Sequence, residues 1–218
     1  MNNAIIFRIY KEIKEAFLSN KIIILISSLM FFIPLILGFI FSNYFSSYFE
    51  PVVTDLSKNL AEGTIEFNFE TVFLNNISII FKEYLMGLFF FVFTVYILIY
   101  NGSFLGYYLG DSNNLFNTLI LIVPHGIFEF FSIIIGASSG FLLCIFILKL
   151  IYNIIYPDYS KDKISLYDRL NFSLEKNYIK FKHSLILFAV SCIAMLIAGF
   201  IEVYITLYLS EIIFNLYY

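Results

Sequence analysis

Residues 22–41, IIILISSLMFFIPLILGFIF, contain no charged side chain. At 1.5 Å per residue a helix of this length matches the roughly 30 Å hydrocarbon core of a bilayer, so the run reads as a transmembrane span. It begins only after Lys21 and no small-x-small cleavage pattern follows it, so it reads as a retained first span and not as a removed signal peptide. Residues 84–100, 126–148 and 184–209 form comparable apolar runs. A fifth stretch, 104–123, is interrupted by Asp111, Ser112, Asn113 and Asn114, and its apolar part, 115–123, covers only about half a bilayer.

Composition agrees. The 218 residues are 61% hydrophobic and 13% charged, whereas soluble domains carry about 45–50% apolar and about 25% charged residues. A net charge of −3, with no basic block interleaved with aromatics, excludes nucleic acid as a partner. Cys144 and Cys192 lie inside apolar runs without a CxxC pattern and read as small buried hydrophobes. Tyrosines such as Tyr44, Tyr48, Tyr100, Tyr107, Tyr108, Tyr152, Tyr156, Tyr217 and Tyr218 cluster at run ends, where aromatic anchors meet the headgroups.

Basic residues set the expected orientation. Arg8, Lys11, Lys14 and Lys21 precede the first span, and Lys161, Lys163, Arg169, Lys176, Lys180 and Lys182 lie before the last, whereas 42–75 holds only Lys58 against five carboxylates. The N-terminus and a cytoplasmic segment, 150–183, are therefore expected inside and the outer loop 42–75 outside. Delivering residue 150 to the cytoplasm requires an outward crossing by 104–123. The expected fold is an all-α polytopic membrane helix bundle of about five spans (22–41, 84–100, 104–123, 126–148 and 184–209), with a broken third crossing at the Pro-His-Gly element. The N-terminus is then cytoplasmic and the C-terminus outside. A re-entrant half-helix at 115–123 is the alternative. Residues 1–218 form one membrane domain, because neither soluble segment is large enough for its own core. The 150–183 segment, with Ile164, Leu166, Leu170 and Leu174 among its charges, is expected to lie on the membrane surface as an amphipathic helix and connector.

Polar residues inside the runs fall on stripes. In the fourth run His125, Glu129, Ser132, Gly136 and Ser139/Gly140 recur at steps of three or four, which turns one small, polar face the same way and leaves Phe and Ile for lipid. The last run repeats this with Ser191, Ala194, Ala198 and Glu202; the second does so with Asn76, Glu83, Gly87, Thr94 and Asn101, a spacing suited to one long helix. Gly102, Gly106 and Gly110, and separately Gly136 and Gly140, form ladders that let helix backbones approach closely. In the five-span arrangement His125, Glu129, Glu202, Asn75, Asn76 and Glu83 all fall toward the outer half of the bilayer. A carboxylate there costs a few kcal/mol unless neutral, paired or hydrated, so such residues face one another or a wet cavity.

Three uses of this cluster follow from its chemistry. Pro124 and Gly126 break the helix and leave backbone groups that His125 and Glu129 satisfy, which makes it a structural clasp. The trio can instead pass a proton or hold a cation. A metal is the weakest of these, because neither HExxH nor a second ligand pair accompanies His125 and Glu129, and no metal or cofactor is expected. No GxSxG or SxxK element supports nucleophilic catalysis, so no enzymatic activity is expected.

The series FLNNISII (73–80), YNGSFLGYYLG (100–110), IVPHGIFEFFSIIIGASSG (122–140) and IEVYIT (201–206) resembles the stage II sporulation protein M family of integral membrane proteins. The Pro-His-Gly element with its following Glu is the specific part. The resemblance marks Asn75, Asn76, Asn101, Gly102, Pro124, His125, Gly126, Glu129, Glu202 and Thr206. It departs from the family where prolines often follow the Glu and the final Thr, near Phe131 and Leu207 here. In spore formers the namesake looks like a membrane anchor that recruits cell-wall hydrolases. The resemblance thus implies a non-enzymatic scaffold in the cell membrane, whose partners are the bilayer, other membrane or envelope proteins and itself. The alternative is a transporter or channel component using the His/Glu/Glu cluster.

Overall fold

A computed structural model describes residues 2–64, 68–89, 91–156, 165–206, 208–209 and 212, and no strand occurs among them. The helices are α1 (Asn2–Ser19), α2 (Lys21–Ile40), α3 (Ser42–Ala61), α4 (Phe69–Met86), α5 (Val92–Gly110), α6 (Leu115–Ile155) and α7 (Leu166–Phe200). A 3₁₀ turn, Gly87–Phe89, follows α4, and a π-helical segment, Ile201–Thr206, continues α7. Lys21–Ile40, Phe69–Phe89, Val92–Gly110, Leu115–Ile155 and Leu166–Thr206 are long and apolar enough to cross a membrane. The chain is a multi-pass all-α membrane bundle.

Side-by-side contacts give the direction of each span. The backbone of Phe31, Leu35 and Phe39 on α2 meets Gly102, Gly106 and Gly110 on α5 in the same order, so these two helices are parallel. His125 pairs with Thr206 and Ser132 with Ser191, so α6 and the α7 arm are antiparallel. Asn76 pairs with Glu202 and Tyr84 with Ser184, which makes α4 antiparallel to α7 as well. The five spans therefore alternate in direction. The α1 end, the α4–α5 turn and the α6–α7 connection share one end of the bundle; α3 and the π segment lie toward the other.

Local signals explain the helix starts. Asn68 accepts the Thr71 N–H at 2.9 Å, Asn114 accepts that of Asn117 at 3.2 Å, and Ser165 accepts that of Asp168 at 3.2 Å, each satisfying a first-turn donor. The α5–α6 break falls at Asp111-Ser112-Asn113-Asn114, where polar side chains compete with the helix for backbone bonds.

Three expectations are corrected. The Pro-His-Gly element does not break a crossing, because Pro124 lies inside the continuous α6. Losing one backbone bond at Pro124 costs less than opening a whole turn to lipid, and apolar sequence on both sides carries the helix on. The run 84–100 is not one span: α4 ends at Met86, and Phe91, with φ 43°, caps α5 in the left-handed region, so 69–89 and 92–110 cross separately. The third crossing is thus Val92–Gly110, and 115–123 opens α6 instead of completing a span of its own. Nor does α6 show lipid its Phe and Ile faces along its middle. Every residue from 132 to 140 is buried, because α2, α4, α5 and α7 surround it.

The two connecting segments are also helical. Residues 42–61 form α3, anchored by buried Phe49 against Tyr100, Phe104 and Tyr107. The expectation of a separate surface-lying helix at 150–183 is also corrected: 150–155 end α6 and 166–183 belong to α7, so the described parts of this segment continue the span helices. Lys161, Lys163, Ile164, Leu207, Tyr217 and Tyr218 lie outside the described residues.

Candidate functional site

At the α3 end, α6 and the π segment face each other residue for residue. His125 Nδ1 lies 3.1 Å from Thr206 Oγ1, and one turn deeper Glu129 comes close enough to Glu202 for their charges to interact. From α4 the Asn76 amide donates to Glu202 Oε2 at 3.4 Å. The π segment matters here. Its wider turn, in which Thr206 Oγ1 also donates to the Ile201 carbonyl five residues back at 3.4 Å, turns both Glu202 and Thr206 toward their partners. His125, Glu129, Glu202 and Asn76 are half-buried, and Glu129 makes no hydrogen bond among the described residues.

The remaining marked residues are elsewhere. Asn75 is on the exposed side of α4 and takes no part in the cluster, since consecutive helical residues point about 100° apart. Asn101 donates to the Ile97 carbonyl at 2.7 Å within α5. Pro124 is half-buried, and Gly126 is buried where a methyl would meet the Phe130 ring of its own helix. Gly102, Gly106 and Gly110 face the α2 backbone, while Gly136 and Gly140 face α4 at Ile80 and Glu83.

Glu83 is also misplaced by the sequence reading. It does not open a span near the outer cluster; it lies one turn before the α4–α5 turn, at the opposite end. The side chain is wholly buried and both carboxylate oxygens lack a partner among the described residues. Thr94 Oγ1 donates to the Glu83 carbonyl at 2.9 Å, closing the hairpin over Gly140.

A second polar cluster escaped the sequence reading. Buried Asn20, in the kink between α1 and α2, donates to the Ala16 carbonyl at 2.7 Å and lies 3.1 Å from Nδ1 of buried His183. Lys180 Nζ donates to Asn20 Oδ1 at 3.0 Å, and Lys182 pairs with Glu12 of α1. The Lys182 hydrogen bond holds the Glu12 carboxyl below its ordinary value. The only sequence signal was a lone histidine where the charged segment meets the last apolar run. Serine bridges complete the interior: Ser132 Oγ to the Ser191 carbonyl at 2.7 Å and Ser138 Oγ to Ser27 Oγ at 2.9 Å. Among the described residues no three His, Cys, Asp or Glu side chains gather as a metal site.

Comparison with known proteins adds a family match. Residues 27–207 match the family described as stage II sporulation protein M. The chain is 34% identical over 193 residues to the uncharacterized protein MJ0793 of Methanocaldococcus jannaschii, covering 85% of this chain and 94% of that one. It is 27% identical over 217 residues to the uncharacterized protein MJ0706 of the same organism, covering 94% and 91%. No solved structure matches it.

Proposed function

The chain belongs to the stage II sporulation protein M family, and from that premise we propose that it is a non-enzymatic membrane scaffold or anchor for a partner complex. One observation carries this reading: the polar groups in the spans are mostly used to tie helices together. His125 binds α6 to the π segment, Asn76 binds α4 to it, Ser132 binds α6 to α7, Ser138 binds α6 to α2, and Asn20 binds the α1–α2 kink to α7. Surface suited to partners lies at the two ends. On α3, Tyr44, Tyr48, Val52, Leu56 and Leu60 are exposed along one side, and Glu50 and Asp55 on that helix add charge. The lysines and arginines of α1 and of the first half of α7 share the other end, which supports a cytoplasmic N-terminus and an outer C-terminus in the cell membrane.

The test is site-specific photo-crosslinking in native membranes. A crosslinker at Tyr48 on α3 is expected to capture one protein partner in constant ratio, while the same group at exposed Ile36 on α2 captures lipid. Protein adducts absent from α3 and from α1 positions such as Tyr10 alike would remove the scaffold reading. The unbonded carboxyl of Glu129 favours a second reading, in which it and Glu202 handle a cation or proton for transport. Unchanged flux and growth in folded Glu129→Gln and Glu202→Gln proteins would eliminate it.

A further inference from the structure

We propose that Glu83 is a reversible proton-binding site inside the bundle, separate from the outer cluster and independent of the scaffold reading. Geometry carries the argument. The carboxyl is wholly buried, and neither oxygen meets a hydrogen-bond donor among the described residues. A charge in such surroundings must be balanced, since an unpaired buried carboxylate costs several kcal/mol. A methyl on Gly136 would lie 2.9 Å from Glu83 Oε2 and 3.2 Å from the Ile80 side chain, and one on Gly140 would strike the Glu83 carbonyl. Gly136 of α6 thus forms the wall against which the carboxyl is pressed, and Gly140 packs on the backbone of the same residue. Both oxygens are closed off from solvent. A proton is the cation that needs no room of its own, so it is the ligand this site accepts, one per chain, converting a carboxylate to a carboxylic acid.

Among the described residues no neighbouring element supplies a fixed positive charge. On α4 itself, Lys82 is exposed and the Tyr84 hydroxyl meets Ser184 at 3.4 Å. From α5 the group facing Glu83 is Thr94, committed to the Glu83 carbonyl. On α6, Glu129 lies seven residues from Gly136, about 10 Å along the helix, and Cys144 lies one turn beyond Gly140 on the other side. On the α7 arm, Cys192 lies one turn beyond Phe188, which stacks on Tyr84, Glu202 belongs to the outer cluster, and Lys180 and His183 are held at the Asn20 cluster. Glu83 stands one turn from the α4–α5 turn, so the proton exchanges with the end of the bundle that carries α1.

The experiment is infrared spectroscopy of the full-length protein in lipid nanodiscs, titrated from pH 5 to 9. The expected result is a carboxylic-acid carbonyl band, shifted by deuteration, that falls reversibly as pH rises. Glu83→Gln is expected to abolish it, and Glu129→Gln and Glu202→Gln to leave it in place. Glu83→Asp keeps a carboxyl and is expected to move the band, which assigns it even where the glutamine variant does not fold. The proposal is overturned by a wild-type protein without such a band, by a band of constant intensity across the range, or by one that neither Glu83 variant alters.

Discussion

The α2–α5 seam and the α6–α7 seam solve the same problem in opposite ways. Along α2 and α5, Gly38, Gly102, Gly106 and Gly110 bring two backbones into contact with almost no side chain between them. Along α6 and the α7 arm with its π segment, side-chain hydroxyls and an imidazole cross the gap instead. Lipid tails are as apolar as leucine, so neither seam gains from the hydrophobic effect. The first relies on dispersion over many atoms, and the second on a few bonds worth more each than any single contact. A seam of glycines fails all at once when its spacing is opened, whereas a seam of bonds fails one bond at a time.

The largest effect is therefore expected at Gly106→Ala. Its methyl lands on the Leu35 carbonyl and lies 2.9 Å from the Phe39 nitrogen, backbone atoms that cannot step aside. A loss on the order of 3 kcal/mol is expected by denaturant titration in detergent, at the upper end for overpacking. An unchanged midpoint would mean that α2 and α5 do not pack as described.

Gly140→Ala and Gly136→Ala extend the test to the close contact of α6 with α4. The first methyl meets the Glu83 carbonyl, the second only the tips of the Glu83 and Ile80 side chains. Thermal unfolding is expected to show roughly 2 kcal/mol lost at Gly140 and about half that at Gly136, because flexible ends yield. Equal losses would place the two methyls in equivalent surroundings.

Single bonds of the α6–α7 seam should cost less. Ser132→Ala removes a 2.7 Å bond to the Ser191 carbonyl and is expected to cost about 1 kcal/mol. For the longer Asn76–Glu202 bond, which joins α4 to the π segment at 3.4 Å, a double-mutant cycle with Asn76→Ala and Glu202→Gln should return a coupling of about 0.5 kcal/mol. A coupling above about 2 kcal/mol would show that the outer cluster acts as one cooperative network.

The smallest effect is a pH signature outside the membrane. Because Lys182 holds the Glu12 carboxyl below its ordinary value of 4.5, its contribution is complete above that value and disappears as pH falls through the lowered one. The difference in melting temperature between wild type and Glu12→Gln should be present at pH 7, shrink toward zero in acid, and weaken with added salt. A difference that persists unchanged in acid would mean that the pair contributes nothing through its charge.

Particular residues show what the chain made legible before folding was considered. Five crossings followed from run length and from the requirement that residue 150 return to the side of residue 21. The stripes also kept their meaning when a helix boundary was misread: Glu83, Gly87 and Thr94 were assigned to one long helix, yet meet at Gly140 from two helices of a hairpin. The turn itself was illegible, because GLFFFVF at 87–93 offers no polar or proline signal and differs in no way from the middle of a span. Pro124 misled in the opposite direction, since a local breaker inside lipid is outweighed by the cost of exposing backbone.

Hydrophobic run length, basic-residue placement and three- or four-residue periodicity are local quantities, and they determined membrane class, span number and the spacing of the small and polar stripes. Which stripe meets which depends on the whole packing. That Glu129 comes near Glu202 while Glu83 lies toward the other end with no hydrogen-bond partner among the described residues, and that residues 132–140 of α6 are enclosed on every side, was decided only when five helices competed for the same contacts. The same apolar side chains suit lipid and protein equally well, so the sequence of a membrane helix cannot distinguish a lipid-facing surface from a buried one.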